Sequence, residues 1–586
     1  MHSESDGDRL RYKIIGLIIV FSFFGCTKRK PALYSEPRSF GIVVSVDKYA
    51  TEVGKKILED GGNAVDAAVG IGFALAVTYP RAGNLGGGGF MVLRFKDGTA
   101  TSIDYREKAP QKSSRDMYLD PEGNHLTELS EEGYLSAGVP GSVAGMLYAL
   151  ENYGTMSIKD VLIPSFELAT EGFRVDSNFA ASLQEKKDLL RKYPSTADIF
   201  LKDSVSTYEE GDIFKQPDLA GTIDRIIKHG RAGFYDGVTA DYFVSTMSKY
   251  GGIIGKDDLL SYEPVEREPL IGNYRGYDII SMPPPSSGGV VMIELLNILE
   301  EFDLYSSFPL TDAYLKLYVE ASKFAFADRA EYLGDTDFYA VPVNTLISKE
   351  YAQTIVDIIK MNGITPSDEI LHQDRNWLES VERVIKKEGN ETTHYSVMDQ
   401  WGNAASVSTT INSYYGSKVI VEGAGFLLNN EMDDFAAKVG SPNLYGLVHG
   451  EANTIEPNKR MLSSMTPTIV EKDGEVVLIT GSPGGSRIIS AVVQNIIYYI
   501  DFGMEPDMVV DQPRVHHQWL PDSLYYEPDA LDSLLISDLE KMGYNLRKRT
   551  AVGSTQLIGR SRFSGLMIPV PDMRRGGYGV VVKNSY

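Results

Sequence analysis

The sequence predicts an α/β fold of the mixed, α+β kind, with short strands and apolar helices sharing a large core. Three observations carry this. Strand-like runs at 42–46, 90–95, 101–105 and 476–480 are short and flanked by glycine-containing turn segments. Interspersed with them are helical runs at 64–78, 143–152, 290–302 and 488–502, several apolar on most faces and therefore buried. Residues 394–398 and 404–410, joined by Asp399-Gln400-Trp401-Gly402-Asn403, read as a β-hairpin.

At 586 residues the chain exceeds one average domain and can bury a large core. Its 43% hydrophobic and 23% charged residues are ordinary for a globular protein. With 57 basic and 80 acidic residues the net charge is -23, which argues against a nucleic-acid partner and for solubility.

The chain opens on a targeting pattern. Arg9, Arg11 and Lys13 precede a largely apolar run at 14–24, too short to span a bilayer as an ordinary helix and suited to a signal peptide in 1–25. Gly25 stands directly before Cys26, the only cysteine, as in a bacterial lipoprotein signal with Cys26 lipidated. The bland alternative is a plain secretory signal with an incidental cysteine. Either way the protein is expected to be exported to the periplasm, lipid-anchored to the outer membrane on the lipoprotein reading, and a single cysteine allows no internal disulfide. Residues 26–40 read as a tether.

Beyond the tether, residues 48–60 have helical character and end at Gly61-Gly62, and Asn63 caps the helix at 64–78. Gly86-Gly87-Gly88-Gly89 permits close backbone approach and unusual dihedrals. It lacks the Gly-Lys-Ser/Thr of a phosphate loop, and a strand follows it. Arg106, at the end of the strand at 101–105, is well placed to hold a carboxylate bidentately, although a surface salt bridge is the plain alternative. Residues 157–262 read as mostly helical. The long helix at 313–332 carries Glu320, Lys323, Asp328, Arg329 and Glu331, whose spacing suggests solvated or mutually paired charges. Residues 338–390 look like a helical, charged approach to the hairpin.

At that hairpin Glu391-Thr392-Thr393-His394-Tyr395-Ser396 places two threonines where an exposed loop meets a strand. A mid-chain threonine hydroxyl is a poor nucleophile. If the preceding peptide bond is cut, the freed α-amine, with an ordinary pKa of about 7.7–8.0, serves as its general base. Spacing alone does not choose between Thr392 and Thr393, and an ordinary Thr-Thr strand is the competing reading. Behind the pair, Ser408 and Thr410 share one strand face with Asn412 beyond. Glu431, Asp433 and Asp434 open a short helix, Ser463-Ser464 precedes a strand, and Gly484 and Gly485 lie before the helix at 488–502, where their N–H groups suit an oxyanion. His516-His517 has no metal-ligand spacing, and Gly-x-Ser-x-Gly is absent. No metal site is expected.

These residues carry a resemblance. Thr392-Thr393-His394-Tyr395-Ser396, Asn429-Asn430-Glu431-Met432-Asp433-Asp434-Phe435, Pro457-Asn458-Lys459-Arg460, Leu462-Ser463-Ser464-Met465 and Gly481-Ser482-Pro483-Gly484-Gly485-Ser486-Arg487 together resemble the γ-glutamyltranspeptidase (glutathione hydrolase) family. The likeness extends upstream to Gly62-Asn63-Ala64-Val65-Asp66-Ala67-Ala68 and Asp104-Tyr105-Arg106-Glu107. Downstream it reaches Pro513-Arg514-Val515-His516-His517-Gln518-Trp519 and Gly553-Ser554-Thr555-Gln556, so it covers nearly everything after residue 40.

The resemblance implies an N-terminal nucleophile hydrolase, a four-layer αββα sandwich. It implies autocleavage between Glu391 and Thr392 into a large subunit, 41–391, and a small subunit, 392–586, which stay together as a heterodimer. Arg106 would pair with the α-carboxylate of a γ-glutamyl group, with Ser463 and Ser464 near it, while Asn412, Glu431 and Asp434 hold the α-amino side. Thr410 would bond to the nucleophile, Gly484 and Gly485 would form the oxyanion hole, and Tyr445 would close over the substrate. Glutathione and related γ-glutamyl amides would be the donors, amino acids, peptides or water the acceptors, and no cofactor would be needed. Two other readings remain: an acylase of the same superfamily acting on glutaryl-type amides, which has no use for acids that grip an ammonium, and a non-catalytic exported binding lipoprotein, which predicts loss of the nucleophile or of the oxyanion loop.

Overall fold

The computed structural model of the chain describes residues 40–306, 308–370 and 392–583. The expected signal segment at 1–25, Cys26 and nearly all of the expected tether, and residues 371–391 with Glu391, lie outside them. The strands that build its two large sheets are, in chain order, β1 (Phe40–Ser45), β2 (Gly88–Arg94), β3 (Ala100–Asp104), β4 (Val265–Arg267), β5 (Leu270–Tyr274), β6 (Tyr277–Ser281), β7 (Thr393–Met398), β8 (Ala404–Thr410), β9 (Thr468–Lys472), β10 (Glu475–Thr480), β11 (Gln556–Arg560), β12 (Met567–Pro571) and β13 (Tyr578–Lys583). The first sheet runs β13-β1-β7-β8-β2-β3-β4 and the second β12-β11-β10-β9-β6-β5. The pairings between these strands are antiparallel.

Side-chain alternation along the strands separates the core into layers. Ile42 and Val44 of β1 and Phe90 and Val92 of β2 point between the sheets, where they meet Ile280, Ile469, Ile479 and Ile558 of the second sheet. Val43, Met91 and Leu93 point the other way, into a core shared with helices α1 (Lys48–Glu59), α2 (Ala64–Thr78) and α3 (Ser142–Tyr153). On the far side, Ile279, Val470 and Leu478 pack against α4 (Gly288–Glu300), α5 (Asp312–Tyr332) and α6 (Arg487–Ile500). Helix, sheet, sheet, helix is the predicted four-layer order.

The local signals hold where they were strong. Asn63 caps α2 by accepting from the Val65 and Asp66 N–H groups, and Asp66 returns the bond to Asn63 N–H. The glycine run does one of its two expected jobs. A Cβ on Gly86 would lie 2.1 Å from Leu427 O, and one on Gly87 2.1 Å from Thr410 O, so these backbones touch. None of the four has a positive φ, so the run serves close approach and no unusual dihedral.

On α5 the paired half of the expectation holds and the solvated half does not: Lys323 donates to Glu320 at 3.0 Å, but the pair is buried in the core, and buried Asp328 accepts from Tyr351. From Tyr318 to Ala330 the helix is buried at all but one position, so these charges have little access to water. The strands at 265–281 and 556–583 carried no legible signal, because they are short, partly exposed edge or near-edge elements. β12 even contains Pro569 and Pro571, tolerated because it is an edge strand.

Candidate active site

The placement of Thr392 follows from the register of β7 against β8. Thr393 pairs with Thr409 and His394 with Ser408, so one further step sets Thr392 opposite Thr410, which pairs on its other side with Gly88. Alternation then separates the two threonines. Tyr395 and Val397 face the helix-side core, whereas Ser396 donates to Gln556 O of the second sheet and His394 packs on Gly481. Thr392 falls on the His394 face and lines a pocket between the sheets; Thr393 does not. Thr392 is only 6% exposed, more enclosed than the loop-edge position expected for it.

That pocket is lined by every described candidate residue except Gly484. Its charges are concentrated on Arg106, which is 1% exposed. The guanidinium lies 2.9 Å from Glu431, 2.5 Å from Asp434 and 3.5 Å from Glu107, and its Nε donates to Met461 O at 3.2 Å. The surface-salt-bridge alternative for Arg106 is therefore excluded. Burial works against its charge, but Glu431, Glu107 and Asp434 outweigh burial and hold the pKa above its ordinary value. The acids respond oppositely. Burial pushes Glu107 up to about 7 and Glu431 well above the usual carboxylate range, against the pull of Arg106. Neither Glu431 oxygen accepts a well-aligned hydrogen bond, despite the 2.9 Å approach. Asp434 keeps 14% of its side chain exposed.

The serine pair is held by the rigid loop before α4. Ser463 N–H donates to Pro285 O, and Ser287 donates to Ser463 O through both its N–H and its hydroxyl. On the opposite wall, Gly484 and Gly485 have φ of 137° and 60°, conformations that favour glycine. Among the described residues neither N–H has a partner. Gly485 lines the pocket, whereas its chain neighbour Gly484 does not. Asn412 N–H donates to Thr410 Oγ1 at 2.8 Å, and Asn412 Nδ2 to Asn430 O at 2.9 Å.

Tyr445 covers this wall. Its hydroxyl donates to Asn412 O at 2.8 Å, and its ring fills the space a Cβ on Gly485 would need. The segment carrying it is pinned at Asp433, which accepts from Leu444 N–H at 2.9 Å and from Ser130 at 2.7 Å. Asn443 Oδ1 accepts from the Tyr445 and Leu447 N–H groups, closing the turn.

Sequence reasoning missed three residues here. Asp433 was grouped with its acidic neighbours without a role of its own. Arg329, read as a helix-face charge, lines the pocket. His394 sits beneath the glycine loop, its Nδ1 2.9 Å from Ser408 Oγ and its Nε2 3.2 Å from Ser396 Oγ. His516 and His517 bond to different partners, Ser490 and Gln518 for the first and Asp522 for the second.

A family model described as Gamma-glutamyltranspeptidase matches residues 50–582. The chain is 48% identical over 524 residues to the glutathione hydrolase proenzyme of Escherichia coli K12, covering 88% of each chain. To the glutathione hydrolase proenzyme of Bacillus subtilis strain 168 it is 36% identical over 571 residues, covering 95% of this chain and 94% of that one. Among solved structures, gamma-glutamyltranspeptidase of Helicobacter pylori matches at 46% identity with a TM-score of 0.54, over 56% of this chain and 96% of that one. A cephalosporin acylase from Bacillus halodurans superposes with a TM-score of 0.78 at 24% identity, over 93% and 96%, which shows a shared fold.

The buried His394 yields a pH prediction. Burial lowers its pKa from 6.5 to about 3, so the folded protein keeps it neutral where the unfolded chain takes up a proton. Its contribution is complete above pH 6.5 and is lost as pH falls toward 3, on the order of 5 kcal/mol in all. Denaturant unfolding of His394→Gln against its parent, both in a Thr392→Ala background, should show the stability gap shrinking between pH 7.5 and pH 5. A gap independent of pH would contradict this account.

Proposed function

The chain belongs to the gamma-glutamyltranspeptidase family, and from that premise we propose that Thr392, released by cleavage after Glu391, is its nucleophile and that γ-glutamyl amides such as glutathione are its donors. The observation that carries this reading is that Thr392 and the Arg106–Glu431–Asp434 cluster line one pocket. A γ-glutamyl donor is a zwitterion at one end and an amide at the other. A zwitterion can enter a buried ion pair without leaving net charge behind: its carboxylate takes up Arg106 while its ammonium takes up Asp434 and Glu431. The internal pair is exchanged for two external ones, and the amide carbonyl is carried toward Thr392.

The chemistry then needs few groups. Thr392 Oγ attacks the carbonyl and its own α-amine takes the proton. Charge develops on the carbonyl oxygen, which the Gly484 and Gly485 N–H groups, without a partner among the described residues, would receive. Thr410, across the ladder, holds the hydroxyl. The amine leaves, a γ-glutamyl ester remains, and water or an amino-acid or peptide amine resolves it. In the uncut chain the Thr392 nitrogen is an amide and offers no base, so the precursor is inactive. The printed name proenzyme of the relatives supports such processing.

Three measurements test this. Thr392→Ala should remain one chain, whereas the parent should yield a smaller band beginning at Thr392, about one third of the 64.7 kDa whole; N-terminal sequencing reads it, and an active uncut parent would sink the mechanism. Asp434→Ala should still mature yet lose about tenfold to a hundredfold in kcat/KM on γ-glutamyl anilide, because a charge-assisted bond to the ammonium is gone. A glutaryl anilide, which lacks that ammonium, should suffer far less. Equal losses would point instead to a general acylase.

Export completes the proposal, with Cys26 as a lipid anchor on the periplasmic side. It rests on the basic segment, the apolar run at 14–24 and the Gly25-Cys26 pair. Cys26→Ser should move the enzyme from the membrane to the soluble fraction with catalysis intact. A parent already soluble would leave only a secretory signal.

A further inference from the structure

Arg106 is the obvious cation for a carboxylate, yet three carboxyl groups already surround it. The other guanidinium lining the pocket is Arg329 of α5. It is 2% exposed and forms no ion pair with a carboxylate among the described residues. Its Nε donates to Ser287 Oγ at 3.0 Å and its Nη2 to Ser464 Oγ at 3.2 Å, while Nη1 has no partner. Burial brings its pKa down to about 10, with Asp434 pulling the other way, so it stays charged at neutral pH. His449, close enough to feel this charge, is itself buried and kept neutral.

A buried, unpaired guanidinium is costly unless something neutralises it when the protein works. Its bonds also constrain the serine. Ser464 Oγ accepts from Arg329 and donates to no group among the described residues, so its proton is free for the pocket. Ser287, fixed to Ser463 O at 2.6 Å, prevents the guanidinium from swinging away. We propose that Arg329 is the positioning residue for the donor's α-carboxylate: it holds Ser464 as a hydrogen-bond donor and supplies the pocket's unneutralised positive charge. This rests on the γ-glutamyl reading above and deepens it. Arg106 then has a divided task, shared between the carboxylate and the acids that receive the ammonium.

The test uses two donors that differ by one group. γ-Glutamyl-p-nitroanilide carries the α-carboxylate, and 4-aminobutyryl-p-nitroanilide is the same molecule without it. On matured Arg329→Gln, KM for the first should rise about tenfold or more with a much smaller change in kcat, as expected for a lost charge-assisted contact. For the second, kcat/KM should stay within about threefold of the parent. Arg329→Lys, which keeps the charge but loses the two-pronged geometry, should recover part of the loss. Equal losses on both donors, or no loss on either, overturn the proposal. Should Arg329→Gln fail to mature, Arg329→Lys and Ser464→Ala carry the test: their penalties on the γ-glutamyl donor should fall short of additive, and full additivity overturns it. A parent indifferent to the α-carboxylate overturns the γ-glutamyl reading as well, a result distinct from a carboxylate-selective parent whose selectivity survives without Arg329.

Discussion

The site depends on one register, the antiparallel alignment of β7 with β8 and of β8 with β2. It brings Thr392 level with Thr410, turns His394 beneath the glycine loop and leaves Thr393 facing the helices. A slip of one residue would exchange the two threonines and reverse every side chain along the strand. The alignment is held from both sides, because β7 lies between β1 and β8 in the middle of its sheet. It is also held by contact: Gly87 and Gly89 press against Thr410 O and Ser408 O at distances no Cβ would permit. The four-glycine run thus acts as the mould for the strand that carries the pocket's hydroxyls.

Electrostatics does the remaining selection. The pocket gathers two guanidinium groups and two carboxyl groups, with Glu107 beside Arg106, in a buried space where each isolated charge is expensive. Three carboxyl groups crowd Arg106, whereas none forms an ion pair with Arg329 among the described residues. Glu107 and Glu431 relieve part of the crowding by holding protons more tightly than free carboxylates do. Such a site has little to offer a neutral amide or a simple dianion. It is matched to a small ligand with both signs of charge a few bonds apart, and the Tyr445 ring, fixed over Gly485, limits the room beside it.

The layers were legible because their central elements carry unambiguous patterns. Asn63 ahead of an apolar fifteen-residue helix, or a threonine-rich hairpin with a turn of polar residues, needs no context to be read. The outer strands were not, since β4 to β6 and β11 to β13 are short and half-covered, and tertiary pairing rather than side-chain pattern makes them strands. Single-residue roles divided the same way. The residues named from motifs converge on one pocket, Gly484 excepted. Arg329 was hidden by its own periodicity: charges three and four apart look like a solvated helix face until the face proves to be covered. The contacts between Arg106 and the acids more than 300 residues downstream had no local trace, for only the folded sheets bring them together.

Both sheets draw strands from each side of the Glu391–Thr392 bond. β7 and β8 are inserted between β1 and β2, β13 borders β1, and β9 joins β6 across the second sheet. A scission there would divide the covalent chain without dividing either hydrogen-bonded layer. The fragments would have no seam along which to part, since separating them means opening both sheets at once. Reassembly from separated pieces would be a bimolecular search, whereas the uncut chain meets its own partner strands intramolecularly. Folding before cutting is therefore the topologically favoured sequence of events, and the cut product would persist through a slow rate of disassembly more than through its capacity to refold.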